Sequence, residues 1–329
     1  MQNSKKFIQS IGIPFTALLS LVFGLLLISF PIGLFVVFES DIGGDINFDY
    51  PLTHLELFEG TALYQNQFDI SIGDAFVLLW SFYAVLFTIS ILGPKHGFFK
   101  SLSSIISLGK FDSGKNYMFG ITKWFSILIL VSALIHFIQE KFGIETVPPL
   151  GGNDLIQFFY VSLAPLIEEF GFRLILIGIP LFALYSRRTS GKYFLRCLWN
   201  PGSLAIYDSK KAIFLIIFVG VLFGFAHIAF GESWSEGKFA QATASGIILG
   251  WVYLRYGFVA SLLIHWATNY FVFSYANLIS QTNFISIEDA FSHSLMSSLE
   301  LLLLVSGAFS ISMLLINRFY SKKNSDLKI

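Results

Sequence analysis

Apolar residues fall in eight long stretches, near 12–38, 73–93, 119–139, 155–185, 212–230, 239–256, 258–279 and 296–317. A helix crossing about 30 Å of hydrocarbon needs about 20 mostly apolar residues, and each stretch approaches or exceeds that. None alternates apolar with polar positions, and all are longer than a barrel strand, so the pattern excludes a β-barrel. The fourth stretch exceeds one crossing and contains Pro165 and Pro180, which predicts a kinked, tilted or extended helix. The first follows Lys5 and Lys6. Its apolar core is too long for a signal sequence and no small-x-small cleavage site follows, so it reads as a permanent helix. No fixed-period repeat and no matching pair of broken helices occurs. The expectation is an all-α, polytopic membrane bundle of about eight helices, one domain over 1–329.

Composition agrees. The 329 residues are 55% hydrophobic, 17% aromatic and 13% charged, and the mean hydropathy is +0.70. Soluble domains carry roughly 25% charged residues, so too little charge remains here to coat a water-facing surface. Lys+Arg and Asp+Glu both number 21, which leaves no net basic field for a polyanion and excludes a nucleic-acid partner. The single cysteine, Cys197, rules out disulfides and cysteine metal clusters. It sits in a connection without a neighbouring His, a poor setting for a nucleophile. Most basic residues lie in the N-terminal segment, the 94–118 and 186–211 connections, at Arg255 and in the C-terminal tail. The segment 39–72 holds acids and no Lys or Arg. By the positive-inside rule both termini are expected in the cytoplasm, in what reads as a plasma-membrane protein. The acidic segment reads as a solvated loop, or a partner contact, and the 186–211 loop as an ordinary basic connection. Asp74 and Lys123 stand at span starts, where snorkelling is cheap.

Charges inside spans are costly, roughly 2.5–3.5 kcal/mol at a helix centre, and point to function. Glu168 and Glu169 are adjacent in the fourth span, with Arg173 nearby. Neighbours on a helix differ by about 100° around the axis. Glu169 and Arg173, at i and i+4 with the acid first, form the favourable ion pair. Glu168 points elsewhere, without a local counter-charge, as a general base would. Gly171 leaves room beside it. An internal salt bridge joining helices is the structural alternative. His227 lies in the fifth span, sharing a face with Phe223, and Gly220 and Gly224 there would admit a neighbouring backbone. His265 and Asn269 share a face of the seventh span, and Ala242, Gly246 and Gly250 form a small-residue face on the sixth. The His and Asn residues are either polar clamps between helices or the walls of one shared intramembrane cavity.

Order and spacing bring a family into view. Glu168-Glu169-x-x-Phe172-Arg173, Phe223-x-x-x-His227 and His265-x-x-x-Asn269 resemble the three motifs of the CPBP intramembrane proteases. These are relatives of the type II CAAX prenyl endopeptidase, also called the Abi family. The run Gly246 to Gly257 looks like the family's approach to its third motif. Leu174 departs from the Gly that many members place after the Arg. The resemblance spans about 155–275, a CAAX-protease-like core. It implies an eight-helix endopeptidase in which Glu168, assisted by His227, activates water, and His265 and Asn269 stabilise the oxyanion. Glu169, Arg173 and Phe223 would support the site.

Two questions stay open at the level of sequence. Glu168, His227 and His265 could form a His–His–carboxylate zinc set, yet no His-Glu-x-x-His signature occurs. The metal-free mechanism is favoured. The expected partners are the lipid bilayer and a membrane-associated protein or peptide substrate, prenylated or not. A silent scaffold or bacteriocin-immunity factor of the same fold is the main competitor. A proton-coupled transporter is the lesser one, because polar groups cluster in three spans rather than along a whole path.

Overall fold

The computed structural model describes residues 2–44, 51, 70–109, 111, 116–146, 153–188, 190–206, 209–229 and 235–326. Residues 45–50 and 52–69, most of the acidic segment, lie outside that set. Among the described residues the only β-type pairings are two isolated bridges, Pro51 with Ser71 and Pro94 with Asn116. Everything else that is regular is helical.

The eight expected spans all become helices. They are α1 (Gln2–Phe38), α2 (Ile72–Leu92) and, after the short α3 (Phe98–Leu108), α4 (Tyr117–Lys141). Next come α5 over 154–185, α6 (Gly191–Trp199), α7 (Ser209–Ala229) and α8 (Lys238–Tyr256). The last are α9 over 258–283, α10 (Ile287–Phe291) and α11 (Ser294–Asp326). Five of them, α1, α2, α4, α7 and α11, are long and apolar enough by themselves to cross a membrane. The two composite helices α5 and α9 and the charge-flanked α8 complete the bundle. Large side chains such as Leu78, Phe214 and Leu315 stand 68%, 72% and 62% exposed, as lipid-facing positions require.

Local chemistry sets the helix starts. Ser71 and Asp74 form a capping box on α2, each side chain receiving the other's backbone N–H at 3.1 Å. Asp74 is therefore a cap. Asn116 caps α4 through Phe119 N–H at 2.9 Å, and Asn153 caps α5 through Leu155 N–H at 2.9 Å. The polar stretches around 94–118 and 186–211 each contain a helix that hydropathy alone did not reveal. Lys123 departs from the snorkelling expectation. It is fully buried, and its ammonium lies 5.5–5.9 Å from the rings of Phe111, Phe119, Trp124 and Tyr256. Aromatic cover at the start of α4 replaces an exit to water.

The fourth span changes helix type along its length. Asp154–Glu169 is α-helix, Phe170–Gly178 is π-helix, and Ile179–Tyr185 is α-helix again. Pro180 brings no N–H and would clash with the carbonyl four residues back. A wider turn with i to i+5 bonding relieves that clash, and Ile179 N–H accordingly bonds to Leu174 O. A second π turn, Ala267–Phe271, interrupts α9.

The small-residue faces meet as expected. A Cβ placed on Gly246 would lie 3.0 Å from Gly220 Cα, and one on Gly220 would lie 3.0 Å from Ile247 N. Glycine at both positions therefore permits the contact of α7 with α8. Helix α9 occupies the centre, touching α2, α4, α5 and α8. Trp266 anchors it, fully buried and stacked on Tyr83 and Tyr270 at centroid distances of 5.0 and 4.6 Å. Tyr270 in turn donates to Ser29 O of α1 at 3.2 Å. The residue before Trp266 is His265, so this aromatic stack fixes the height and rotation of that imidazole.

Candidate active site

Helices α5, α7 and α9 bring Glu168, His227 and His265 to one place. Glu168 Oε2 lies 4.0 Å from His227 Nε2 and 3.7 Å from His265 Nε2. The two glutamates divide as their helical positions dictate. Glu168 is 26% exposed, whereas Glu169 is 0% exposed. A Cβ on Gly171 would meet nothing within 4 Å, so the space beside Glu168 is open.

Glu169 does more than balance Arg173. Arg173 Nη2 lies 3.1 Å from Glu169 Oε1, with both side chains fully buried. The guanidinium hydrogens are not aimed along that line, so the contact is an ion pair rather than an aligned hydrogen bond. The same carboxylate accepts from His265 Nδ1 at 2.9 Å and from the hydroxyl of Ser261. Burying a carboxylate requires this degree of pairing. Ser261 was not singled out in the sequence. It precedes His265 by four residues and so shares its face, which was the available signal.

These partners fix the imidazole tautomers. His227 Nδ1 lies 2.9 Å from the carbonyl of Phe223, which can only accept. His265 Nδ1 faces a carboxylate held in an ion pair, which also accepts. Each Nδ1 therefore carries hydrogen, and each Nε2 faces Glu168, as an acceptor when the ring is neutral and as a donor when it is protonated. Glu168 Oε2 is itself buried with no hydrogen-bond partner. Glu168 Oε2 thus has an imidazole Nε2 within 4.0 Å on each of two neighbouring helices. A water about 2.8 Å from Oε2 and from either Nε2 would subtend an angle of about 80–90° between them.

Zinc fits this set less well. Bonds of about 2.0–2.2 Å place tetrahedral ligands about 3.3–3.5 Å apart, closer than the 3.7 and 4.0 Å found here. Among the described residues no group of three His, Cys, Asp or Glu side chains has metal-binding geometry.

Phe223 holds the cluster together from one side. Its ring lies 4.7 Å from Arg173 Cζ and meets His227 edge-on at 4.6 Å, His265 at 5.7 Å and Phe172 at 4.9 Å. One aromatic ring thus contacts both imidazoles and the buried cation. Asn269 lies one turn beyond His265, in the π segment and partly buried. Among the described residues no hydrogen bond ties it to the cluster. His136 is exposed, and Cys197 is buried in α6.

Fold and site together define a helical, multi-pass integral membrane protein with one buried acid–imidazole cluster built from three sequence motifs. Residues 152–271 match the family described as Type II CAAX prenyl endopeptidase Rce1-like. That segment, which contains all three motifs, is what the chain has in common with this family, and the match supports a CAAX-type intramembrane protease kind of function. Comparison with curated proteins and with solved structures finds no significant match.

Proposed function

We propose that the protein is an intramembrane endopeptidase in which Glu168 activates a water for attack on a peptide bond of a membrane-associated substrate. The observation that carries this reading is the placement of His227 Nε2 and His265 Nε2 at 4.0 and 3.7 Å from Glu168 Oε2, a spacing that a water can bridge between the carboxylate and either ring. The water gives a proton to Glu168 and its oxygen bonds to the scissile carbonyl carbon. His227 Nε2 accepts the second hydrogen and so orients the attacking lone pair. His265, as imidazolium with Glu169 for counter-charge, donates Nε2–H to the carbonyl oxygen as negative charge develops. Asn269 supplies a second donor to that oxygen. Glu168 then passes its proton to the departing amine, and the C–N bond breaks. The products are a carboxylic acid and an amine, and Glu168 is regenerated. Glu169, Arg173, Ser261 and Phe223 are positioning residues. No step in this scheme is routed through a metal.

The charge distribution supports an orientation with both termini in the cytoplasm, and the plasma membrane is the membrane proposed. The test of the function is cleavage of membrane-anchored peptides, prenylated and unprenylated, by purified wild type and Glu168→Ala. Cutting by wild type that is absent from the variant supports the proposal. Two folded proteins that both leave every peptide intact would favour a silent scaffold instead.

A further inference from the structure

The connection between α5 and α7 is more than a link. It encloses a cavity of about 520 Å³ lined by Tyr185, Arg187, Arg188, Tyr193, Arg196 and Ser203. None of these residues belongs to the Glu168 cluster. We propose that Arg187, Arg188 and Arg196 form a binding site for the phosphate of an anionic phospholipid.

Three guanidinium groups around one hollow are suited to phosphate, whose oxygens accept paired N–H bonds. Among the described residues no carboxylate pairs with any of the three. The walls are held in place beforehand. The Ser186 hydroxyl donates to Arg188 O at 2.7 Å and accepts from Arg188 N–H at 3.2 Å. The guanidinium of Arg188 lies 5.3 Å from the Tyr193 ring, and the Tyr193 hydroxyl donates to Ser203 O at 3.1 Å.

The surroundings favour a lipid over a soluble phosphate. Helix α6 exposes Leu195 and Trp199, at 66% and 51%, four residues apart on one face. An amphipathic helix with exposed Trp and Leu beside Lys and Arg lies in the membrane interface. A second hollow, of about 440 Å³, begins at Leu184, one residue before Tyr185. It is lined by Leu184, Phe214 and Leu215, with Lys210 and Lys211. Phosphate-binding arginines on the same connection as an exposed Leu–Trp face, with an apolar hollow lined from the neighbouring residue of the chain, match a headgroup with its acyl chains. A soluble phosphate compound would use the arginines and leave the apolar hollow unused.

The experiment is native mass spectrometry of the delipidated full-length protein in detergent. The added lipid is phosphatidylglycerol, or phosphatidylcholine with the same chains. Wild type should retain phosphatidylglycerol preferentially. The Arg187→Gln, Arg188→Gln, Arg196→Gln variant should lose affinity on the order of 100-fold, given three basic groups near the surface. A control variant, Lys95→Gln, Lys100→Gln, Arg318→Gln, makes the same charge change elsewhere and should bind nearly as wild type does. Equal losses in both variants would overturn the proposal in favour of a diffuse surface field. Equal retention of both lipids by wild type would overturn it without reference to any variant. Displacement of phosphatidylglycerol by a modest excess of inorganic phosphate would overturn the lipid assignment and point to a soluble phosphate compound.

Discussion

Glu169 Oε1 accepts the Nδ1 hydrogen of His265 at 2.9 Å, and this bond aims the other ring nitrogen at Glu168. The two adjacent glutamates therefore act on opposite ends of one imidazole. Glu169 is sealed inside with Arg173 and Ser261, and Glu168 is partly exposed. The division of labour predicts that neutralising them has different consequences.

Glu168→Gln should abolish cleavage, by about 10²–10⁴-fold, the usual contribution of a general base. Its thermal midpoint should stay near that of wild type, because Oε2 has no hydrogen bond to lose and its two imidazole neighbours lie 3.7–4.0 Å away. Thermal unfolding in detergent beside the cleavage rate checks both halves.

Glu169→Gln should lose activity and stability together. It leaves Arg173 buried without its counter-charge, and breaking such a pair costs about 3–5 kcal/mol. A Glu169→Gln protein as stable as wild type would contradict the ion pair described here.

Much of this was legible in the chain, and the limits have physical causes. The eight spans follow from apolar length, and the Glu169–Arg173 pair from i, i+4 geometry. The π turns were hidden because widening a helix changes no composition, although Pro180 marked the place. The Glu169–His265 bond joins residues 96 positions apart, beyond any local periodicity. Ser261 was within reach of the spacing rule but is an unremarkable residue for a span. Lys123 was read from its position alone, and the rings that cover it come in part from α8 and from Phe111.

Ser261→Ala should lower kcat by about 10- to 100-fold and leave KM unchanged, since a hydrogen bond to a charged group is worth about 1.5–3 kcal/mol. Ser261→Thr keeps the hydroxyl and should recover most of the rate. Loss in both variants alike would mean that the site tolerates no change of packing there.

Gly246→Leu should destabilise the fold by about 1–3 kcal/mol through overpacking. A side chain there meets the Gly220 backbone and Phe223 Cβ at 3.0–3.1 Å. Substitution of lipid-facing Leu315, 62% exposed, by Ala is the control and should leave the thermal midpoint nearly unchanged.

Chelation should leave the cleavage rate unchanged, because the proposed scheme routes no step through a metal. Loss of cleavage in chelator, restored by added zinc, would show that the cluster contracts around a metal.

The most direct test of the central claim is the single-turnover cleavage rate of a membrane-anchored peptide by wild type and Glu168→Gln in the same bilayer preparation. The account predicts cutting by wild type and essentially none by a Glu168→Gln protein that remains folded. A folded Glu168→Gln protein that cuts at the wild-type rate would contradict it.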